Sequence, residues 1–191
     1  MIAGLVLAAG AGTRFGGPKQ LADLAGRPLL EHALSSMARA GLERVVVVLG
    51  ASAEEILGKV DLQGAEPLLC ERWEEGQSAS LACGLAALAD ADAVVVVLGD
   101  QPRLSPQAID RVLTARAEGI EAVRATYGGE PGHPVLLERS LFGRLRDVAG
   151  DRGARNLLLR SKTREVPCDD LGGSEDVDTV AQLDALRGSS T

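Results

Sequence analysis

The sequence predicts an α/β protein, a Rossmann-like three-layer sandwich around a mostly parallel central sheet. Several short apolar runs are β-branched and continuous rather than alternating, the pattern of strands covered on both faces. Amphipathic helical patterns separate these runs, and that alternation builds parallel sheets. The first run ends in a glycine-rich turn, the place where such folds bind ligands.

The elements follow in order. Residues 2–8 read as the first strand. Residues 28–40 read as a helix with Leu29, Leu30, Ala33, Leu34 and Met37 on one face, closed by Gly41 in a left-handed cap. Then come a strand at 45–49, a helix at 53–59, a helix at 80–89 and a strand at 94–98. Ser105 and Pro106 form an N-cap and first-turn pair opening a helix at 106–118, with Gly119 as its cap. A strand at 121–126 follows. The last third holds helices at 140–148 and 154–160, a strand near 164–167 and a closing helix at 179–187. Residues 1–187 read as one domain, with 188–191 as a frayed tail.

Composition narrows the function. Of 191 residues 46% are hydrophobic, enough for a core, but aromatics reach only 2%, so stacking platforms for nucleic-acid bases are hard to staff. Twenty Lys and Arg against 27 Asp and Glu leave a net charge of −7, opposite to the footprint of a duplex-binding domain. No run approaches the roughly 20 apolar residues of a membrane span, and the opening lacks the basic stretch of a signal peptide. Cys70, Cys83 and Cys168 form neither a C-x-x-C pair nor an even set, which reads as reduced thiols in a cytoplasmic protein.

The loop Leu7-Ala8-Ala9-Gly10-Ala11-Gly12-Thr13-Arg14-Phe15-Gly16-Gly17-Pro18-Lys19 is the most informative segment. It fails the dinucleotide fingerprint, because Phe15 stands where the third glycine belongs and the second strand ends in Leu49-Gly50 without an acid for a ribose. It fails the Walker pattern, because Pro18 takes the lysine position. What remains is a loop, leading into a helix, that sets Arg14 and Lys19 among glycines, suited to a polyanion such as a nucleoside triphosphate.

This loop resembles the signature of nucleotidyltransferases that build sugar nucleotides and nucleotide-modified cofactors. Its R-F-G-x-x-K-x-L form is most similar to molybdenum cofactor cytidylyltransferase and its guanylyltransferase relative, of the MobA-like NTP transferase family. Further matches follow in the family's order: Glu75-Gly76-Gln77-Ser78-Ala79-Ser80-Leu81, Gly99-Asp100-Gln101-Pro102, Gly132-His133-Pro134-Val135, Gly150-Asp151-Arg152-Gly153-Ala154-Arg155 and Asp176-Val177-Asp178-Thr179. The resemblance implies a fold of the nucleotide-diphospho-sugar transferase type and transfer of NMP, CMP before GMP, from CTP or GTP to molybdopterin phosphate, releasing pyrophosphate. It implies Mg²⁺ as cofactor, and a molybdoenzyme or its chaperone as candidate partner.

Residue by residue, Arg14, Lys19 and Asp100 become the catalytic set. Leu7, Ala8, Ala9, Gly10, Gly12, Gly76, Gln77 and Ser80 join them around the nucleotide, His133 and Arg155 contact the acceptor, and Asp100 and Asp178 hold the metal. Asp100 also stands out unaided, at the carboxyl end of a central strand. Asp178 by residue type is equally a helix N-cap, and Asp176, two residues away in an extended segment, points the same way. Ser78 or Ser80 reads as a cap, Gly132-His133-Pro134 as a turn opening a strand, and the Asp151–Arg155 cluster as a solvated helix start. Three readings compete with molybdopterin: another small acceptor, a sugar phosphate or phospholactate; a nucleotide-binding maturation partner without turnover; and an oxidoreductase on a related sequence.

Overall fold

The computed structural model describes residues 1–147, 151–173 and 175–188, with Asp151, Arg152 and Gly153 described by backbone alone. Gly150, the side chains of Asp151 and Arg152, and most of the expected tail lie outside the described residues.

Strand β1 (Ile2–Leu7) leads through the glycine-rich loop to a two-stranded antiparallel sheet, β2 (Asp23–Leu24) and β3 (Arg27–Pro28). Helix α1 (Leu29–Arg39), β4 (Arg44–Leu49), α2 (Ala53–Lys59), β5 (Glu66–Leu69), α3 (Gln77–Ala87) and β6 (Ala93–Leu98) follow. Then come α4 (Pro106–Thr114), β7 (Ala122–Tyr127), β8 (Glu130–Glu138), α5 (Arg139–Arg146), α6 (Asp151–Arg160), β9 (Thr163–Pro167) and α7 (Val180–Gly188). The seven-stranded sheet runs β5-β4-β1-β6-β8-β7-β9. β1 pairs in parallel with β4 and β6, Leu5 lying between Val46 and Val96; β8 is antiparallel to both β6 and β7.

The continuous apolar strands arise because both faces are covered. From β1 and the residue that follows it, Val6 and Ala8 face the layer built by α1, α2 and α4, while Ala3, Leu5 and Leu7 face α3, α5 and α6. A third cluster, Leu24, Leu29, Val177, Leu183 and Leu186, docks α7 on the two-stranded sheet. Among the described residues no helix is long and apolar enough to cross a membrane.

Several expectations are corrected. The glycine-rich loop leads not into a helix but into a 3-10 turn, Lys19–Leu21, and α1 begins only after β2 and β3. Ser105 and Pro106 do cap α4, the Ser105 side chain accepting from the Gln107 amide, and Gly41 has a φ of 64° beyond α1. However, α4 stops at Thr114, so Gly119 closes a later turn. Gly132-His133-Pro134 is not a turn opening a strand but lies within β8, which Gly128-Gly129 joins to β7; their φ of 59° and 80° suit a type I′ hairpin turn. Cys70 and Cys83 are disulfide-bonded, with Cα atoms 6.0 Å apart, and only Cys168 is free. Chain reversal between β5 and α3 brings those two sulfurs together, a proximity that sequence spacing does not encode.

Candidate active site

At the carboxyl ends of β1 and β6 the chain leaves the sheet in opposite directions, opening a cavity of about 310 Å³. Leu7, Ala8, Ala9, Gly10, Arg14, Lys19, Gly76, Gln77, Ser80 and Asp100 line it, all expected from the sequence. Gly12 is not among its lining residues. Its carbonyl accepts from the amides of Phe15, Gly16 and Gly17, curling the loop, and a Cβ at its φ of 64° would lie 2.0 Å from the Gly17 oxygen. Gly12→Ala is therefore expected to reshape the loop at a cost of about 1–3 kcal/mol and to raise the nucleotide KM while leaving the sheet intact, as kinetics beside circular dichroism would read. Gln20, beneath the loop, donates from Nε2 to the carbonyls of Ala8 and Gly10, each at 2.8 Å.

Lys19 organises the charges. Its Nζ lies 2.5 Å from Asp100 Oδ2 and 2.8 Å from Asp178 Oδ1, and Arg14 Nη2 lies 3.0 Å from Asp178 Oδ2. Burial works against the Lys19 charge, but the two carboxylates outweigh it and its pKa is raised. The hydrogen bond from Lys19 leads in lowering Asp178. Asp176, on the same wall, accepts from Gln101 Nε2 at 2.7 Å; burial first, and Asp100 second, raise its pKa.

Asp178 is not the cap of α7. Thr179 Oγ1 accepts from the Gln182 amide, and Gln182 Oε1 accepts from the amides of Thr179 and Asp178, a capping-box arrangement that frees the Asp178 carboxylate. Val177, fully buried, donates its amide to the Asp100 carbonyl and holds the two acids beside the end of β6. Asp100 Oδ1 is buried without a hydrogen-bond partner, an orphan that a hard cation would satisfy.

Helix α3 also departs from expectation. Its N-cap is Gly76, no side chain caps it, and Ser78 and Ser80 are buried inside its first turns. Gly76, Gln77 and Ser80 thus bring the N-terminal end of α3 to the cavity wall, where the helix dipole favours an anion. Trp73, not singled out from the sequence, lines the same cavity.

A second cavity, of about 320 Å³, meets the first at Leu7 and Gln77. His133 and Arg155, expected at the acceptor, both line it. Desolvation, with the charge of Arg124 adding to it, pushes the His133 pKa down to about 4, so its imidazole is neutral at pH 7.

Residues 4–166 match the MobA-like NTP transferase domain. Nicotine blue oxidoreductase of Paenarthrobacter nicotinovorans is 35% identical over 193 residues, covering 95% of this chain and 94% of that protein. The bifunctional protein GlmU of Rhodospirillum rubrum is 32% identical over 72% of this chain, which spans only 31% of that protein. Rv0371c of Mycobacterium tuberculosis H37Rv superposes with a TM-score of 0.87 at 31% identity, over 98% of this chain and 97% of that one. A manganese complex of Rv0371c superposes at 0.84 and 30% identity, over 98% of each chain. A CMP:2-keto-3-deoxy-manno-octonic acid synthetase bound to CTP shares the fold at a TM-score of 0.79 and 15% identity, over 99% of this chain and 98% of that one. The chain belongs to the MobA-like NTP transferase family and is an enzyme of the nucleotidyltransferase type.

Proposed function

We propose that this protein transfers CMP from CTP, or GMP from GTP as second choice, to the phosphate of molybdopterin, releasing pyrophosphate. The observation that carries the proposal is the pair of cavities meeting at Leu7 and Gln77, one lined by Arg14, Lys19, Asp100 and Asp178 and the other by His133 and Arg155. The first offers cations and the N-terminal end of α3 to a triphosphate, and the second adjoins it where an acceptor would approach the α-phosphorus. Molybdopterin and the preference for CTP rest on the motif resemblance in the first loop.

Asp100 and Asp178 are the residues to hold a divalent cation, Mg²⁺ in the first instance. The orphaned Asp100 oxygen fits it, and the manganese complex of Rv0371c supports a divalent ion at such a fold. When bound, the cation supplies charge neutralisation and a template for phosphate oxygens. Arg14 and Lys19 add charge at the triphosphate. The acceptor phosphate is already ionised, so in-line attack needs no general base, and His133, neutral at pH 7, is left to donate or accept a hydrogen bond.

The test is a thermal-shift panel of four NTPs with Mg²⁺ or Mn²⁺, followed by pyrophosphate release with molybdopterin, a sugar phosphate and phospholactate. A ligand at 100 times its Kd is expected to raise the Tm by about 5–10 °C. Turnover with a sugar phosphate and none with molybdopterin would replace the acceptor but keep the chemistry.

A second reading, an oxidoreductase, is favoured by the 35% identity with nicotine blue oxidoreductase over 95% of the chain. Against it stand the failed dinucleotide fingerprint and the paired carboxylates around Lys19. Consumption of a nicotinamide donor with nicotine blue, without pyrophosphate release from any NTP, would decide for it.

A further inference from the structure

The floor of the second cavity is one face of the sheet, and it carries a cation that sequence patterning hides. Val96, Val135 and Arg124 stand on adjacent strands in direct register, and all three line the cavity. Arg124 sits within the apolar strand β7; Val123 and Ala125 face the opposite layer, leaving Arg124 on the cavity side. Only 6% of its surface is exposed. Its Nη2 donates to Glu165 Oε1 at 2.5 Å from the neighbouring strand β9, but its Nε is buried without a hydrogen-bond partner. A buried guanidinium N–H left unmet costs stability, and it points to an acceptor atom supplied by a ligand. Glu165 is half exposed, so the pair is not sealed on both sides.

Distance assigns the end of the ligand concerned. Three strand spacings separate β7 from β1, where the two cavities meet, so the Arg124 backbone lies roughly 14 Å from that junction. The guanidinium is held toward Glu165 on β9, the strand beyond β7, so it lies away from the junction and from a phosphate reacting there. Val96, Val135 and Leu81 provide an apolar wall between the two ends.

We propose that Arg124 is a specificity-determining residue of the acceptor pocket, its guanidinium receiving a planar pair of hydrogen-bond acceptors at the end of the acceptor remote from its phosphate. This rests on the transferase reading above and names the substrate class. The acceptor is a phosphate ester about one nanometre long with a flat body, ending in a fused-ring carbonyl and nitrogen edge or a carboxylate. Both edges match the guanidinium fork, as arginine matches the carbonyl and ring nitrogen of guanine. His133 adds a neutral partner beside it.

The experiment is an equilibrium fluorescence titration of the full chain with two probes, pterin for the ring edge and 2-naphthoate for the carboxylate, on wild type, Arg124→Met and Arg124→Lys. At least one probe should bind wild type, with Kd weakened about 10- to 100-fold in Arg124→Met and by an intermediate factor in Arg124→Lys, which keeps charge but not the fork. CTP affinity should be unchanged in both variants. The probe that binds identifies the edge. If neither binds wild type, or Arg124→Met binds as wild type does, the proposal is overturned and Arg124 is merely structural. If Arg124→Met fails to fold, Glu165→Gln, on a half-exposed side chain, decides: removal of the competing carboxylate should tighten the bound probe several-fold, and no change or weakening would overturn the proposal. Turnover separates the two ideas. Arg124-dependent probe binding without nucleotidyl transfer sinks the transferase reading alone, and transfer to molybdopterin at wild-type KM in Arg124→Met sinks the Arg124 assignment alone.

Discussion

Asp100→Asn is expected to fold with a Tm close to wild type and to lose about 10²–10³ of its metal-dependent kcat. The substitution keeps shape and removes charge at the one carboxylate fixed by the end of a central strand. Folding should survive because Lys19 retains Asp178 as a partner and the Asn carbonyl can still accept its hydrogen bond. Turnover should not, because the orphaned Asp100 oxygen is the best-placed anionic ligand in the cavity. A titration of pyrophosphate release against Mg²⁺ would show a higher half-saturation and a lower plateau. Near wild-type turnover at low Mg²⁺ would remove Asp100 from the site. Asp178→Asn should follow in the same direction with a smaller loss, since its carboxylate is more exposed, 26% against 20%. A silent Asp178→Asn beside a damaging Asp176→Asn would move the second acid to the residue that Gln101 holds.

What the sequence reveals and what it hides divide along a physical line. β1, β4 and β6 are legible because burial on both faces demands continuous Val and Leu, and α4 because Ser105 and Pro106 mark its start locally. β5 is an edge strand, with Glu66, Pro67 and Leu69 exposed, so it carries no such run. The outer half of β8 is polar because it borders a cavity rather than the core. The same division holds at the site. The first loop is readable because Arg14 and Lys19 reach the cavity from the segment that the chain itself places at the end of β1. Trp73 and Arg124 come to line the two cavities only through tertiary contact. Trp73 packs against Gly50, where a Cβ would lie 2.5 Å from its Cβ and Cγ, and Arg124 is set by strand register. The Cys70–Cys83 pair belongs with them, since two sulfurs 13 residues apart meet only after β5 and α3 have packed.

Lys19→Met is expected to raise the NTP KM about tenfold and to lower kcat as well, while tightening metal binding in the absence of nucleotide. The two effects have opposite signs because Lys19 and a cation share the same carboxylates, whereas Lys19 and a cation act together on the triphosphate. Calorimetry with Mn²⁺ alone reads the first effect and steady-state kinetics the second. Stability should change in a pH-dependent way. Asp178 has its pKa lowered in the folded state, chiefly by Lys19, so its contribution is present above the ordinary carboxylate pKa and fades as pH falls through the lowered one. Lys19 has its pKa raised, so its contribution persists through neutral pH and fades only in strong alkali. The urea midpoint of Lys19→Met should therefore fall below that of wild type at pH 7, and the gap should narrow as Asp178 is protonated in acid. A gap independent of pH would mean that lost packing of the lysine stem, not the ion pairs, accounts for the change. Unaltered nucleotide affinity and rate would reduce Lys19 to a strut between Asp100 and Asp178.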